Sequence, residues 1–473
     1  VELNAPRSVH LVGIGGAGIS AIGIILAAMG HQVTGVDLNE TPAWPSLRAA
    51  GIEPQVVAAD ALFSAPATAG APSPAPALVV AHSTAFPPSP EALAALEARG
   101  AVVVDRAGIL AAICAARLTV AVSGTHGKTS TTAMLATLLS SAGRDPAYLV
   151  GATPVGLDRA AWWSQRSDGA FVVEADESDG TFLRLGATVA VVTNIDEDHL
   201  DYWGDIDAIE SAFEQFLTSA QVAIVCIDDP RGADGADPRA LRVAEAAGAL
   251  TVGESDRSRY HVHHVQVDRL TTTFGLAFDG NELGPVTIGT PGRHHARNAA
   301  VAVAAAVALG VSPADAVRAV SDYRGVARRF EVVGHLGGAT VVDDYAHNPG
   351  KVRALLASAQ EAGWSRVVAV FQPHRYSRTR DLAGDFGEAL AVADVVAVTD
   401  VYGAGEEPIA GVSGRDLVDE VLDVRPWIEV AWLPTLDDAA AWSRAIARPG
   451  DLLLTVGAGD ISGLAHVLAE PDG

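Results

Sequence analysis

From Val120 to Thr132 the chain reads Val-Ala-Val-Ser-Gly-Thr-His-Gly-Lys-Thr-Ser-Thr-Thr, a stretch whose residue types suit a polyphosphate. The apolar run Leu118 to Val122 enters a turn holding Gly124, Thr125, His126 and Gly127, and a helical pattern follows from Thr132 to Leu139. In a strand, loop and helix of this order, backbone N–H groups through Ser130 and the positive end of the helix face phosphate oxygens. Lys128 reaches the outer oxygens, and the Thr129 hydroxyl suits Mg²⁺. Val122 stands where the general eight-residue phosphate loop has its first glycine. The plainer alternative is a glycine turn with a solvated lysine.

Acids follow at the ends of the next two strand-like runs. Phe171 to Val173 ends in Glu174-Ala175-Asp176-Glu177-Ser178-Asp179, and Ala187 to Thr193 ends in Asn194-Ile195-Asp196-Glu197-Asp198-His199-Leu200-Asp201. Four clustered acids repel one another unless solvent, cations or hydrogen bonds compensate. Beside an ATP loop they suggest Mg²⁺, for which carboxylates are natural ligands and histidine an unusual one. His199 reads equally well as a cap or sheet-edge residue.

A second glycine loop comes earlier. His10 to Val12 runs into Gly13-Ile14-Gly15-Gly16-Ala17-Gly18, a helix follows from Ile19 to Met29 with its stop at Gly30, and the strand Val33 to Val36 ends in Asp37. This is the dinucleotide fingerprint, with Asp37 placed for a ribose hydroxyl. Any nucleotide diphosphate satisfies the same physics, so NAD is one reading among several. Ser83 and Thr84 close a strand at the edge where open sheets bind ligands. Further on, Pro291 to Asn298 opens an Ala-rich helix to Leu309, with His294 and Asn298 four residues apart on one face. Thr340 to Val342 ends in Asp343-Asp344-Tyr345-Ala346-His347-Asn348-Pro349, before a helix from Gly350 to Ala362. Val367 to Phe371 ends in a basic turn whose Arg375 and Arg378 fit a carboxylate or phosphate bidentately. A solvated basic turn is the alternative. His261, His263 and His264 are explained by strand alternation rather than zinc.

The elements that must position these groups alternate strand and helix over 473 residues, which is too long for one core. The expected architecture is α/β in three domains: a Rossmann-like domain over 1–115, a central ATPase-type domain with a mostly parallel sheet over 116–328, and a second Rossmann-like domain over 329–473. The chain is 49% hydrophobic but only 5% aromatic, so Ala, Val and Leu must fill its cores. Its formal charge of −25 disfavours nonspecific nucleic-acid binding, while a nucleotide-sized anion needs only a local cationic patch. Cys114 and Cys226 lie far apart in apolar surroundings and read as reduced core thiols. The start Val1-Glu2-Leu3-Asn4 carries no basic leader, and the longest apolar runs are too short to span a bilayer. A cytoplasmic protein without membrane insertion is expected. Ala61 to Pro76 is expected to be a surface loop, and Asp229 to Ala236 a polar one.

Taken in order from His10 to Asp460, these motifs resemble the bacterial Mur ligase family. The resemblance implies that the first domain takes a UDP-sugar, so the glycine fingerprint is reassigned from NAD, with Gly15, Gly16, Ala17, Gly18, Asp37, Ser83 and Thr84 toward that substrate. It implies ATP with Mg²⁺ or Mn²⁺ in the central domain. Lys128 would hold the β/γ-phosphates, Thr129, Glu174 and His199 the metal, and His294, Asn298, Arg329 and Asp344 the nucleotide. Tyr345, His347, Arg375 and Arg378 would surround an amino acid, with His347 helping its amine lose a proton. The branch it implies joins L-alanine to the lactyl carboxylate of UDP-N-acetylmuramic acid through an acyl phosphate, in peptidoglycan precursor synthesis, as a monomer or weak homodimer. Closure of the third domain over the second would exclude water. His295 stands where the family usually has asparagine, and Asn348 where a second histidine is common. No lysine occurs from His199 to Asp229, unlike sister ligases that carry a carbamylated one. The nearest rival is a muropeptide-recycling ligase that attaches a preformed tripeptide, although such enzymes tend to carry tyrosine at the position of Ser178. A nicotinamide dehydrogenase or a non-enzymatic ATP-dependent module would leave most of these motifs unused.

Overall fold

The computed structural model describes residues 1–64, 78–166, 168–229 and 235–469. The stretch Ala61 to Pro76 lies mostly, and the loop Asp229 to Ala236 largely, outside the described residues.

The first sheet contains β1 (Ser8–Val12), β2 (Gln32–Asp37), β3 (Pro54–Val56), β4 (Val79–His82) and β5 (Val102–Asp105), in the order β3-β2-β1-β4-β5. All its pairings are parallel. Because β2 and β4 flank β1, the winding reverses at β1, and the loops after β1 and β4 meet at the carboxyl edge. The helix Ala17–Ala28 buries Ile19, Ile22, Ile25 and Leu26, one face at helical spacing. It stops at Gly30, whose φ of 91° favours glycine.

The second sheet contains β6 (Thr119–Ser123), β7 (Ala147–Leu149), β8 (Ala161–Trp162), β9 (Phe171–Glu174), β10 (Val189–Val192), β11 (Val222–Cys226), β12 (Leu250–Gly253), β13 (Tyr260–Asp268), β14 (Thr271–Phe278) and β15 (Asn281–Ile288). Its order is β15-β14-β13-β12-β11-β10-β6-β9-β7-β8. Strand β6 lies between β10 and β9, parallel to both, so the loop after β6 is flanked by the loops that carry the acids. Val120, Ala121, Val122, Phe171 to Val173 and Val189 to Val192 are all buried, the continuous apolar pattern of a sheet covered on both faces.

The third sheet contains β16 (Glu331–Leu336), β17 (Ala339–Asp344), β18 (Val367–Phe371), β19 (Val395–Val398), β20 (Glu429–Trp432) and β21 (Leu452–Val456), in the order β16-β17-β21-β18-β19-β20. Only β16 is antiparallel among these pairings. The architecture is α/β with three sheets, as the alternation of elements predicts.

By packing, the chain forms two compact units. One comprises residues 1–263, 275–286 and 297–323, and the other residues 264–274, 287–296 and 324–473. Leu270 packs against the core around Phe371 and Leu454 in the second unit, and Arg269 lies over the Trp364 ring. Nothing in the local sequence signals that these short segments, whose strands belong to the second sheet, pack with the C-terminal unit. Cys114 and Cys226 are buried and free, and burial pushes each thiol up to about 12, so both are unreactive core residues. No helix among the described residues is long and apolar enough to cross a membrane.

Candidate functional site

The phosphate loop begins where β6 ends. Gly124 has φ 122°, and a Cβ there would collide with the Thr193 hydroxyl. Gly127 has φ 84°, and its Cβ would lie 3.0 Å from Asn298 Oδ1. Both glycines are therefore required by backbone conformation and by close approach. The helix expected from Thr132 begins at Lys128, because the left-handed Gly127 supplies its N-terminal boundary. The polar run Lys128 to Thr132 has no apolar periodicity to reveal that turn. Lys128, Thr129 and Ser130 thus sit in the first turn, at the positive end of the dipole.

Neighbouring strand ends brace the loop. Asn194 accepts the His126 N–H at 2.9 Å and donates to the His126 carbonyl at 2.8 Å. Thr193 donates to that same carbonyl, and Asp196 donates its N–H to the Thr125 hydroxyl at 3.0 Å. His126 Nε2 lies 3.3 Å from Asp196 Oδ2.

Two carboxylates divide the work at the loop. Lys128 Nζ donates to the Gly124 carbonyl at 2.9 Å and lies 2.6 and 2.7 Å from the two oxygens of Glu177. Burial pushes the Glu177 carboxyl above its ordinary range, against the pull of Lys128. Thr129 donates its hydroxyl to Glu174 Oε1 at 3.0 Å, and Gly151 N–H donates to Oε2 at 2.8 Å. His199 Nε2 lies 3.9 Å from Glu177 Oε1, too far for a hydrogen bond. The predicted metal set is therefore divided: Thr129 meets Glu174, whereas His199, in the left-handed conformation at φ 54°, stands beside Glu177. Among the described residues no three His, Cys, Asp or Glu side chains gather as a metal cluster. Glu177 was not singled out from its run of acids, since nothing in their spacing tells which one turns toward the lysine.

The first glycine loop is built differently. Asp37 Oδ2 accepts the Gly15 N–H at 2.7 Å, its Oδ1 accepts the Leu38 N–H at 2.7 Å, and the carboxylate is buried. Thr41 donates to the Gly15 carbonyl at 3.0 Å. Both Asp37 oxygens thus hold the turn. A Cβ on Gly13 would lie 2.9 Å from Ser83 Cβ, so the loops after β1 and β4 touch, and Thr84 is exposed beside them. Gly16 caps the helix that Ala17 and Gly18 open.

In the second unit, Asp344 is buried at the end of β17, where it accepts the N–H groups of Phe330 and Ala346 at 2.8 Å each. Burial raises its carboxyl, opposed by Arg329. The Arg328 and Arg329 guanidinium groups lie 4.9 and 5.7 Å from the centre of the Tyr345 ring. His347 Nδ1 lies 2.9 Å from the Tyr345 carbonyl, which fixes that nitrogen as the N–H and leaves Nε2 as the acceptor. Burial lowers His347 to about 4, with Lys351, Arg378 and His374 adding to the effect. The His347 ring lies 5.9 Å from His374, which stacks on Tyr402. Arg375 has φ 72° and is exposed at the start of the helix Tyr376–Asp381, while Arg378 is half-buried. Asn348 caps the helix Pro349–Glu361 by accepting the Lys351 N–H at 2.9 Å, a role asparagine fills well. His294 packs on His295 at 4.1 Å between ring centroids. Burial and His294 hold His295 neutral.

Family models match in chain order. The Mur ligase family catalytic domain matches residues 8–118, the Mur ligase middle domain residues 122–306, and the Mur ligase glutamate ligase domain residues 328–459. The chain is 42% identical over 461 residues to a UDP-N-acetylmuramate–L-alanine ligase of Kineococcus radiotolerans, covering 96% of this chain and 94% of the relative. It is 37% identical over 464 residues to the ligase of that name in Pelotomaculum thermopropionicum, covering 97% and 96%. The crystal structure of a UDP-N-acetylmuramate–alanine ligase from Thermotoga maritima superposes with a TM-score of 0.75 at 27% identity, over 98% of each chain. A murein peptide ligase from Psychrobacter arcticus shares the fold, with a TM-score of 0.62 at 23% identity and 98% coverage of both. With three consecutive domain models and full-length relatives in agreement, the chain belongs to the Mur ligase family.

Proposed function

We propose that this chain is an ATP-dependent ligase that joins L-alanine to the lactyl carboxylate of UDP-N-acetylmuramic acid, giving UDP-N-acetylmuramoyl-L-alanine, ADP and phosphate. The observation that carries the reading is the first turn after β6, where Lys128 and Thr129 each meet a carboxylate beside a glycine cradle. Full-length likeness to alanine-adding ligases supports the choice of acceptor.

The residues present fit a divalent cation. Mg²⁺ is usually held by one or two carboxylates together with substrate phosphates and water, and the Thr129 hydroxyl with Glu174 is such a donor pair. When bound, the cation would offset charge on the phosphoryl group. His199 is the further candidate ligand by family position.

A carboxylate is a poor electrophile because its oxygen is a poor leaving group. Attack by the lactyl carboxylate on the γ-phosphorus of ATP gives an acyl phosphate and releases ADP. Lys128, paired with Glu177, exchanges that partner for phosphate oxygens as charge develops. The neutral amine of L-alanine then attacks the acyl carbon, phosphate departs with the C–O electron pair, and the ammonium of the adduct loses a proton. His347 Nε2 accepts a hydrogen bond from that amine. Its lowered basicity makes it a guide for the lone pair rather than a store for the proton. Arg375 and Arg378 are assigned to the alanine carboxylate, His294 and Asn298 to adenine, Asp344 to the ribose region and Arg329 to the phosphates. On this reading one substrate goes to each of the proposed domains over 1–115, 116–328 and 329–473.

The test is ATP-dependent phosphate release with UDP-N-acetylmuramic acid, Mg²⁺ and, in turn, L-alanine, D-glutamate, a diamino acid and L-Ala-γ-D-Glu-meso-diaminopimelate, with product mass recorded. Product with L-alanine is expected. Product with the tripeptide alone would move the chain to the recycling reaction, and no amide from any acceptor would end the ligase reading.

A further inference from the structure

The first glycine loop and the acidic segment beside the second are joined by a side chain that the reaction described above does not use. Arg106 opens the helix Arg106–Cys114 directly after β5, with Asp105 as its cap. Its guanidinium stands against the other loop: a Cβ on Gly18 would lie 3.3 Å from Arg106 Nη1. Its Nη2 donates to Asp179 Oδ2 at 3.1 Å. Asp179 lies two residues beyond Glu177, whose carboxylate grips Lys128, and its Oδ1 accepts the Thr181 N–H at 3.0 Å to close that turn. Beside this contact Arg184 pairs with Asp105, so two crossed ion pairs tie the end of β5 to the segment after β9.

The chemistry of the two pairs differs. The two carboxylates are about equally exposed, but the Arg184 guanidinium is about half open to water, which makes its pair the weaker tether. Arg106 is 24% exposed, and one edge of its guanidinium meets one Asp179 oxygen. A guanidinium has five donors in a rigid fork, and phosphate groups match that fork. The N–H groups of Gly13 to Gly16 are taken by the Val36 and Gly13 carbonyls and by Asp37, so an anion here would sit at the helix start, Ala17 and Gly18, within reach of the guanidinium edge that faces Gly18.

We propose that Arg106 is a positioning residue that couples the two loops: a nucleotide-sugar diphosphate on the Gly13–Gly18 loop orders its guanidinium, which holds Asp179 and with it the Glu177 segment that sets Lys128. The residue binds phosphate and Asp179 together, so each loop's ligand pays part of the ordering cost for the other. Binding of the two ligands is then mutually favourable, and by linkage the factor is the same in either direction. The inference rests on the proposed function for the identity of the ligands.

The experiment is calorimetric titration of the full chain with UDP-N-acetylmuramic acid, with and without a non-hydrolysable ATP analogue and Mg²⁺, and the reverse titration. The native chain is expected to show about fivefold or greater tightening in both directions. Arg106→Ala is expected to lose that factor while still binding the ATP analogue alone as the native chain does. Arg106→Lys, which keeps the charge without the fork, and Asp179→Asn, which keeps the shape without the charge, are expected to lose most of it. Thermal melts identify any variant that fails to fold, and the lysine and asparagine variants then decide. A native chain with no coupling, or variants that retain it or weaken both ligands alike, would overturn the proposal. Formation of the alanyl product by the native chain, measured separately, distinguishes a failure of this coupling from a failure of the ligase reading, which would overturn both.

Discussion

Gly13–Gly18 and Gly124–Lys128 both leave a buried parallel strand at a point where the winding reverses, and both run into a helix whose N-terminus faces out of the sheet. Beyond that plan they diverge. In the first loop a buried carboxylate, Asp37, takes the Gly15 N–H for itself, and no lysine lies in the turn. In the second, the backbone is held by the neutral side chains of Thr193 and Asn194, and the carboxylates of Glu174 and Glu177 are set on the hydroxyl and ammonium of the helix start. Loop geometry makes a cradle for phosphate in either place. What differs is the charge around it: on the proposed reading the first loop holds a diphosphate unchanged, and the second brings the Lys128 ammonium and the Glu174 carboxylate to a phosphoryl group in transfer.

The comparison breaks most visibly at Lys128. Lys128→Ala should lower kcat for ligation by on the order of 10³-fold, since a charge stabiliser is lost from the transferred group. Calorimetry should show UDP-N-acetylmuramic acid still bound by that variant. A smaller loss is expected for Glu174→Gln, about 10²-fold in kcat with a higher Mg²⁺ requirement in a metal titration, because the amide oxygen is a weaker ligand than a carboxylate oxygen. Smaller again is Asp37→Asn, which leaves one oxygen and turns the other position into a donor facing a donor. KM for the UDP-sugar should rise by about tenfold, with KM for ATP unchanged, which steady-state kinetics resolves. If ATP suffered equally, the loops would not be functionally distinct.

The smallest effect is a pH dependence outside both loops. His347 has its value lowered from 6.5 to about 4 by burial, so the folded chain keeps it neutral where a free histidine is already protonated. The unfolded chain therefore binds this proton first, and the stability tied to the neutral ring is lost as pH falls from the free value toward the folded one. Activity between about pH 5 and 8 owes no acid limb to this residue. His347→Asn should lower kcat modestly and leave the limb where it was, as a pH–rate profile would show.

Much of this plan is legible in the amino-acid sequence. Strand β18 begins and ends at the residues that the apolar run Val367 to Phe371 predicts, and Gly124 to Thr129 announces a cradle by residue type alone. Those features are local, and local order carries them. Which member of Glu174 to Asp179 faces which cation is settled by how β9 sits beside β6, and no spacing along the chain encodes it. The same holds for Asn194, which braces a loop 68 residues away, and for Arg106, which meets Asp179 across 73. The early helix start at Lys128 was hidden because its first turn is polar on every side. Asp37 was legible as an acid at a strand end, but its engagement with Gly15 depends on how the turn folds back over β2. Asn348 shows the converse, since a departure from the family pattern becomes intelligible once it is seen to cap a helix.

The most direct measurement follows one oxygen atom. UDP-N-acetylmuramic acid with both oxygens of its lactyl carboxylate replaced by heavy oxygen would be turned over with ATP, Mg²⁺ and L-alanine, and the released phosphate and the nucleotide product weighed by mass spectrometry. The account predicts one labelled oxygen in each phosphate, together with an amide of the mass of UDP-N-acetylmuramoyl-L-alanine, because the carboxylate oxygen that attacks the γ-phosphorus leaves with it. Phosphate free of label, or phosphate released without the amide, would contradict it.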